Sequence, residues 1–156
     1  MLAVAVLALV AAFGLTSPAF EQGQTIPVEY TCDGLNVSPA LRWVSPPRGT
    51  KSFALIMDDP DAPGGTFTHW LAWNISSKAR GLKRGAHPPR EGMTSFSRVG
   101  YGGPCPPPGT PHRYVFKLYA LRAPLALPAG AGRSALERAM RGKILKQVSL
   151  VGLYGR

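Results

Sequence analysis

The side chains of this chain that could do chemistry lie at the ends of apolar segments. Asp59 and Asp61 follow the apolar segment "SFALIM", residues 52–57. His69 lies within the apolar segment 67–75, and His112 begins an alternating segment that continues through Tyr114. Carboxylates, imidazoles and a phenol supply donors, acceptors and charge, so they can bind a polar ligand, hold a metal ion or transfer protons.

The strand repeat of two residues predicts that these groups meet. Alternate residues from Phe53 to Asp61, from Phe67 to Ile75 and from His112 to Leu118 each share one face. A buried polar group without a partner costs about 1–3 kcal/mol, so these groups must satisfy one another or a ligand. Any one of them alone is explained as a paired core or surface residue. Together they favour one shared pocket at the edge of a core.

Two proline-containing segments are predicted to form the walls of that pocket. In "DDPDAPGG", Pro60 and Pro63 hold the preceding residues extended, which keeps Asp59 and Asp61 on one side, roughly 6–7 Å apart. In "YGGPCPPPGTPHRY", residues 101–114, five of fourteen residues are proline. A strand follows this stretch at once, which favours a rigid loop over a linker. Its glycines would let main-chain N–H groups approach an anion.

Short strands separated by turn residues predict a mainly β domain. The predicted strands are 20–26, 41–44, 52–57, 67–75 and 113–121, and residues 149–156 form a last strand or an extended tail. One helix is predicted over 134–147, with Ser134 and Glu137 as a capping box and Leu136, Met140 and Ile144 as its buried stripe. Residues 78–100 form a long loop of the kind that is often functional or mobile, and His87 in it is a surface residue.

The N-terminal segment is uncharged and apolar over residues 1–15, which is too short to span a bilayer comfortably. With the small residues of "SPA" after it, residues 1–19 are predicted to be an export signal that lacks its basic start, and residues 20–156 a single domain. A buried N-terminal strand or helix is the alternative. We therefore expect a periplasmic or extracellular location, with no stable membrane span after signal removal, and otherwise a cytoplasmic one. Cys32 and Cys105 then favour a disulfide over two free thiols.

The net charge of +10 is unevenly distributed. Six acidic and three basic residues lie up to Asp61, and two acidic and fifteen basic residues follow it. A basic half can attract nucleic acid, anionic lipid or phosphorylated ligands, but charged residues are most often a solvated surface. The sequence contains no nucleic-acid-binding signature, so no nucleic-acid partner is expected.

Four segments together resemble the phosphatidylethanolamine-binding protein family, and its bacterial branch, often called Raf kinase inhibitor-like, most closely. They are "YTCDGLNVSPALRW", "ALIMDDPDAPGGTFTHWLAWNI", "GYGGPCPPPGTPHRYVFKLYAL" and "AMRGKILKQVSLVGLYGR". The resemblance runs from about Phe20 to Arg156. It implies a large central antiparallel sheet, a smaller second sheet, few peripheral helices, and a small cavity that accepts phosphate-type groups.

The resemblance also implies the residues of that cavity. Arg113 is expected to brace the Asp-containing loop through an ion pair. The implied ligand-binding residues are Asp59, Pro60, Asp61, Ala62, Pro63, His69, Gly103, Pro104, Pro106, Pro107, His112 and Tyr114.

The sequence favours a binding module for a small anion or a phospholipid headgroup, without a cofactor or metal. One alternative is a metal-dependent hydrolase that uses Asp59, Asp61, His69 and His112, although their spacing matches no compact metal motif. No G-x-S-x-G nucleophile motif occurs, so an enzyme is not expected. The other alternative is an inhibitor or scaffold for a protein partner such as a kinase or protease, because a fold alone does not specify a partner.

Overall fold

The computed structural model describes residues 7 and 10–156, which form two antiparallel sheets and one short α-helix. The elements, in chain order, are β1 (Gly14–Thr16), a 3₁₀ turn (Val28–Tyr30), β2 (Leu41–Val44), β3 (Ser52–Asp59), β4 (Phe67–Ser76), β5 (Gly81–Leu82), β6 (Arg90–Glu91), β7 (His112–Leu121), α1 (Arg133–Met140) and β8 (Ile144–Tyr154). The large sheet has the order β6-β4-β3-β7-β8 and the small one β1-β2-β5, which confirms the predicted fold class.

The large sheet separates two apolar cores. An aromatic-rich core that includes Trp43, Phe53 and Phe116 lies between the two sheets. A smaller core that includes Trp73 and Leu136 lies on the other face, under α1. All eight residues of β3 are buried because both of its faces are covered.

The predicted helix 134–147 is too long. The observed helix begins at Arg133 and ends at Met140, and its N-cap is Gly132 with no side-chain cap, so the predicted capping box is wrong. Leu136 and Met140 are buried as predicted. Gly142 then adopts a φ of 73°, which ends the helix, and the chain continues as β8. Ile144 therefore lies in a strand, 41% exposed, because the strong pairing with β7 overrides the helical pattern.

The predicted strand 20–26 is also wrong, since its residues form turns and only Thr25 makes an isolated bridge, to Leu153. Gly23, with a φ of 76°, breaks the extended backbone there. In contrast, the strand β1 lies within the predicted export signal, with Phe13 and Leu15 buried. A cut after Ala19 would remove this strand and both side chains from the core. Among the described residues, no helix has the length and apolar character needed to cross a bilayer.

The single face predicted for alternate residues of 67–75 is wrong because β4 contains two irregularities. Its register against β3 shifts between Phe53 and Leu55 and again between Met57 and Asp58. Each shift reverses which side the following residues face. As a result Ile75 lies in the core between the sheets, whereas Leu71 and Trp73 lie under α1. The predicted face of β7 is correct: Tyr114, Phe116 and Leu118 all lie in the core between the sheets.

Candidate functional site

A cavity of about 190 Å³ opens where β3 ends and β7 begins. It lies between the turn that follows Asp59 and the Gly/Pro-rich loop that precedes His112, as the sequence predicts. Seven predicted residues line it, and three more were not predicted. The predicted ones are Asp59, Ala62, Pro63, His69, Pro106, Pro107 and His112, and the others are Phe67, Phe96 and Cys105.

The central polar contact of the cavity joins β3 to β7. Nδ1 of His112 lies 2.7 Å from Oδ2 of Asp59, and both side chains are largely buried. A carboxylate oxygen only accepts hydrogen bonds, so Nδ1 of His112 carries the hydrogen. The other ring nitrogen, Nε2, then decides what the ring can offer a ligand. It accepts a hydrogen bond when the ring is neutral and donates one when the ring is protonated.

Asp61 does not line the cavity, so the expected same-side placement of Asp59 and Asp61 is wrong. The backbone N–H of Asp61 donates to Oδ1 of Asp59 at 2.8 Å, which turns the chain between them. The Asp61 carboxylate instead accepts two bonds from the Arg113 guanidinium, at 3.0 and 2.8 Å, and one from the Arg113 backbone. These bonds lower the pKa of Asp61 to about 2. Arg113 thus forms the predicted ion pair that braces the Asp-containing loop.

The third acidic residue of this segment, Asp58, faces the opposite side of the sheet. Its carboxylate pairs with Lys117 at 3.2 Å and with Arg133 at the start of α1. These contacts tie the helix to the end of β3 and leave Asp59 as the one carboxylate that lines the cavity.

His69 is buried, and its Nδ1 lies 2.7 Å from the carbonyl oxygen of Gly102. Since a carbonyl only accepts, Nδ1 carries the hydrogen. Burial lowers the pKa of His69 below its ordinary value, against the opposing effects of the Gly102 carbonyl and Asp59. The ring is therefore neutral at pH 7, and its Nε2 is an acceptor that has no protein partner among the described residues.

Tyr114, a predicted ligand-binding residue, is fully buried and does not line the cavity. Its ring packs edge-on against His69 with centroids 5.2 Å apart. Its hydroxyl is the one buried side-chain polar atom of the described residues that lacks a hydrogen-bond partner. Burial raises the pKa of Tyr114, and the neighbouring Asp59 carboxylate raises it further. The hydroxyl therefore stays protonated and is an unused donor beside Asp59.

The Gly/Pro-rich loop is held rigidly by the segment 30–36, and Cys32 and Cys105 form the predicted disulfide. The N–H of Cys32 donates to Pro104, and the Tyr101 hydroxyl donates to Tyr30 at 2.6 Å. The expectation that glycine N–H groups of this loop bind a ligand is wrong for two positions. Gly102 donates to the His69 carbonyl, and Gly103 donates to the side chain of Asn36. Gly103, Pro60 and Pro104 support the walls without lining the cavity.

One wall of the cavity is aromatic, and the sequence did not predict it. Phe67 and Phe96 pack edge-on with centroids 4.7 Å apart, and each ring lies 5.1 Å from that of His69. Phe96 comes from the aperiodic segment 78–100, where its position in "MTSFSRVG" carries no pattern. The one signal for it was that a long loop in a compact domain is often functional. Within the described part of the chain, no three His, Cys, Asp or Glu side chains group as metal ligands do.

Comparison with known proteins shows which family this chain resembles. Residues 16–155 match the model of the phosphatidylethanolamine-binding protein family. An UPF0098 protein of Aquifex aeolicus is 51% identical over 148 residues, which cover 90% of this chain and 86% of that protein. A Mycobacterium tuberculosis protein named as a lipoprotein, LppC, is 41% identical over 90% of this chain and 71% of its own length.

A solved structure gives the same result. The crystal structure of a phosphatidylethanolamine-binding protein homologue, CT736 of Chlamydia trachomatis, superimposes with a TM-score of 0.89 at 38% identity. The match covers 93% of this chain and 98% of that one. The chain therefore belongs to the phosphatidylethanolamine-binding protein family.

Proposed function

We propose that the cavity binds a small phosphate-type anion, either inorganic phosphate or a phosphate monoester such as the phosphoethanolamine headgroup. The observation that carries this proposal is the Asp59–His112 pair at the cavity wall. In the protonated ring the carboxylate balances the imidazolium charge, and Nε2–H is left to donate to an anion. The cavity, at about 190 Å³, is smaller than the roughly 300–1,000 Å³ pockets of drug-sized ligands, so it suits a headgroup.

The remaining polar groups suit a phosphate monoanion. His69 lines the cavity and has an unused acceptor nitrogen, and behind the wall the Tyr114 hydroxyl is an unused donor beside Asp59. A monoanionic phosphate monoester has acceptor oxygens for the donors and one P–OH that can donate to His69. A dianion lacks that hydrogen, and the second pKa of a phosphate ester is about 6. Binding is therefore expected to weaken as the pH rises from 5 to 8, because the ligand loses the P–OH hydrogen that donates to His69.

Calorimetric titration with O-phosphorylethanolamine between pH 5 and 8 tests the proposal. The expected result is an affinity that falls as the pH rises, with net proton uptake on binding seen in buffers of different ionisation enthalpy. The variant His112→Gln removes the imidazole that pairs with Asp59 and is expected to weaken binding by about 10- to 100-fold.

The matched control is His87→Gln, which changes the same residue type at a site whose side chain is 90% exposed. Its affinity should equal that of the unchanged protein. An affinity that stays level or rises with pH would contradict the proposal, as would equal losses in the two variants.

We also propose that the chain is exported. The Cys32–Cys105 disulfide is a bond that persists in oxidising compartments, and one relative is named as a lipoprotein. Cell fractionation of the source organism tests this, and recovery of the protein solely in the cytoplasmic fraction would refute it.

A further inference from the structure

The charges of the molecule are divided between its two ends. At the cavity end, three arginines are paired: Arg113 with Asp61, Arg133 with Asp58, and Arg156 with Asp33. Arg98 is the exception, because it lies over the Phe96 ring and forms no ion pair with a described carboxylate. The opposite end of the large sheet holds basic residues that form no ion pair with any described carboxylate. We call this set the basic end. It consists of Arg48, Lys51, Lys78, Arg80, Arg122, Arg141, Lys143 and Lys146.

Backbone pairing brings these residues to one place. The N–H of Lys51 donates to Leu121 at 2.7 Å, and that of Arg122 donates to Lys143 at 2.8 Å. Ser52 is paired with both Ser76 and Leu121, which places the turn that carries Lys78 and Arg80 beside them. The segments 44–52, 76–80, 118–125 and 141–149 contain no Asp or Glu. The basic end is therefore a surface of one charge sign.

Apolar groups accompany this charge. Val44 and Ile144 are 55% and 41% exposed. The N-terminal segment enters the fold at the same end, because Gly14 pairs with Val44 and the Phe13 ring lies 6.3 Å from that of Phe53. Before Phe13 the sequence is uncharged and apolar, and Val10 is 89% exposed. Basic residues combined with exposed apolar side chains are two signals that together hold a protein on an anionic membrane.

We propose that the basic end docks on an anionic phospholipid bilayer. Exposed aliphatic side chains contribute to binding at a bilayer surface, whereas a single-stranded nucleic acid would need exposed aromatic residues for stacking. The exposed large hydrophobic residues of the described chain include no aromatic one. At a strand rise of about 3.3 Å per residue, the cavity opens roughly 25–30 Å from this surface. In the docked orientation the cavity faces away from the membrane, so its ligand comes from the aqueous phase.

Vesicle sedimentation of the full chain tests the proposal. The measured quantity is the partition coefficient on phosphatidylcholine–phosphatidylglycerol vesicles divided by the partition coefficient on phosphatidylcholine vesicles. This ratio isolates the electrostatic contribution of the basic end, because apolar binding does not require an anionic lipid. We expect a ratio well above one that falls with added salt. The variant with Lys51→Gln, Arg122→Gln and Lys146→Gln should lower the ratio by about 100-fold, since each basic residue near an anionic surface contributes about a factor of five.

The matched control carries Lys83→Gln, Arg90→Gln and Arg98→Gln, which removes the same charge from exposed positions away from the basic end. Its ratio should fall by less than about fivefold. Thermal unfolding curves establish that both variants are folded. Equal losses in the two variants would overturn the proposal, and so would a ratio near one for the unchanged chain.

Two further measurements separate the alternatives. Saturating O-phosphorylethanolamine should leave the vesicle-bound fraction unchanged, and displacement would overturn the proposal by making the cavity the membrane site. Duplex DNA that binds more tightly than the anionic vesicles at equal salt, through the same three residues, would overturn it in favour of nucleic acid. Neither result depends on whether the cavity binds phosphate in solution.

Discussion

Three aspartates that are almost adjacent in the sequence have three different partners. Asp58 pairs with Lys117 and Arg133 under the helix, Asp59 pairs with His112 at the cavity, and Asp61 pairs with Arg113 at the surface. The strand repeat separates Asp58 from Asp59, and the turn after Asp59 separates it from Asp61. The cavity is thus left with one carboxylate, and that carboxylate is balanced by a histidine. For the proposed function, this arrangement explains how an anion can approach a site that looks acidic in the sequence.

His69 is expected to make folding stability depend on pH. Its pKa in the folded protein is lowered by burial, whereas in the unfolded chain it returns to its ordinary value of about 6.5. The unfolded chain therefore takes up the proton first as the pH falls. The stability linked to His69 is fully present above pH 6.5 and is lost as the pH falls from there toward the folded pKa.

Urea unfolding at a series of pH values, without added anion, measures this effect. The unchanged protein and the His87→Gln control should lose stability below pH 6.5, and His69→Gln should remove that part of the slope. Nuclear magnetic resonance titration of His69 should show that its ring gains a proton only below its ordinary pKa of about 6.5. A His69 that titrates at or above 6.5 would refute the prediction.

The Gly/Pro-rich loop is a rigid element because its contacts are already made without a ligand. A disulfide, the Gly103–Asn36 bond and the Arg156 bond to Pro106 at 2.8 Å hold it from both sides. Its prolines reduce the conformational freedom that binding would otherwise remove. The loop therefore shapes the cavity mainly through its walls, and Asp59, His69 and His112 supply the polar side chains that line it.

Gly102 is predicted to set the position of the aromatic wall. A Cβ at this position would overlap the ring of Phe96, which lines the cavity. The variant Gly102→Ala must displace that ring or the loop, so we expect a loss of O-phosphorylethanolamine affinity of about tenfold or more. The expected cost in folding stability is about 1–3 kcal/mol, as for other overpacked sites.

Gly64→Ala is the matched control for Gly102→Ala, because a Cβ at Gly64 would contact nothing within 4 Å. It lies in the loop on the other side of the cavity and should leave affinity and stability unchanged. An unchanged affinity in Gly102→Ala would show that the position of Phe96 does not matter to the ligand.

The sequence predicted correctly the strands whose apolar and polar residues alternate strongly. It did not predict features that depend on local backbone geometry, such as a bulge or the end of a helix. β2 was predicted at its observed bounds, and β3 and β7 to within two residues, because their apolar residues alternate cleanly. The face of β4 was wrong because a bulge leaves no clear mark in the residue types. The helix was too long because Gly142 was not recognised as its end. Phe96 was missed because its role depends on long-range packing against Phe67 and His69.

At the scale of the whole molecule, the two proposed activities use two distant ends of one sheet. Three arginines at the cavity end are held in ion pairs, whereas the residues of the basic end form none with a described carboxylate, so much of the unpaired positive charge lies away from the cavity. Residues 16–155, which match the family model, include both ends of the large sheet. The residues that resemble the family's cavity lie at only one of these ends. The large sheet therefore separates a binding cavity from the surface that we propose to dock on a membrane.

The Cys32–Cys105 disulfide is predicted to contribute strongly to the stability of the whole domain. The two cysteines are 73 residues apart, so the bond closes a loop that contains β2, β3, β4 and the segment 78–100. Closing a loop of this length in the unfolded chain is expected to stabilise the folded state by about 4 kcal/mol.

The double variant Cys32→Ser with Cys105→Ser should therefore unfold at a clearly lower denaturant concentration. It should still fold, because the Cys32–Pro104 and Gly103–Asn36 hydrogen bonds hold the same two segments together. Guanidinium unfolding of the variant, and of the unchanged protein with and without a reductant, measures the effect. If all three samples unfolded at the same midpoint, the bond would not stabilise the domain, and one support for the export proposal would be lost.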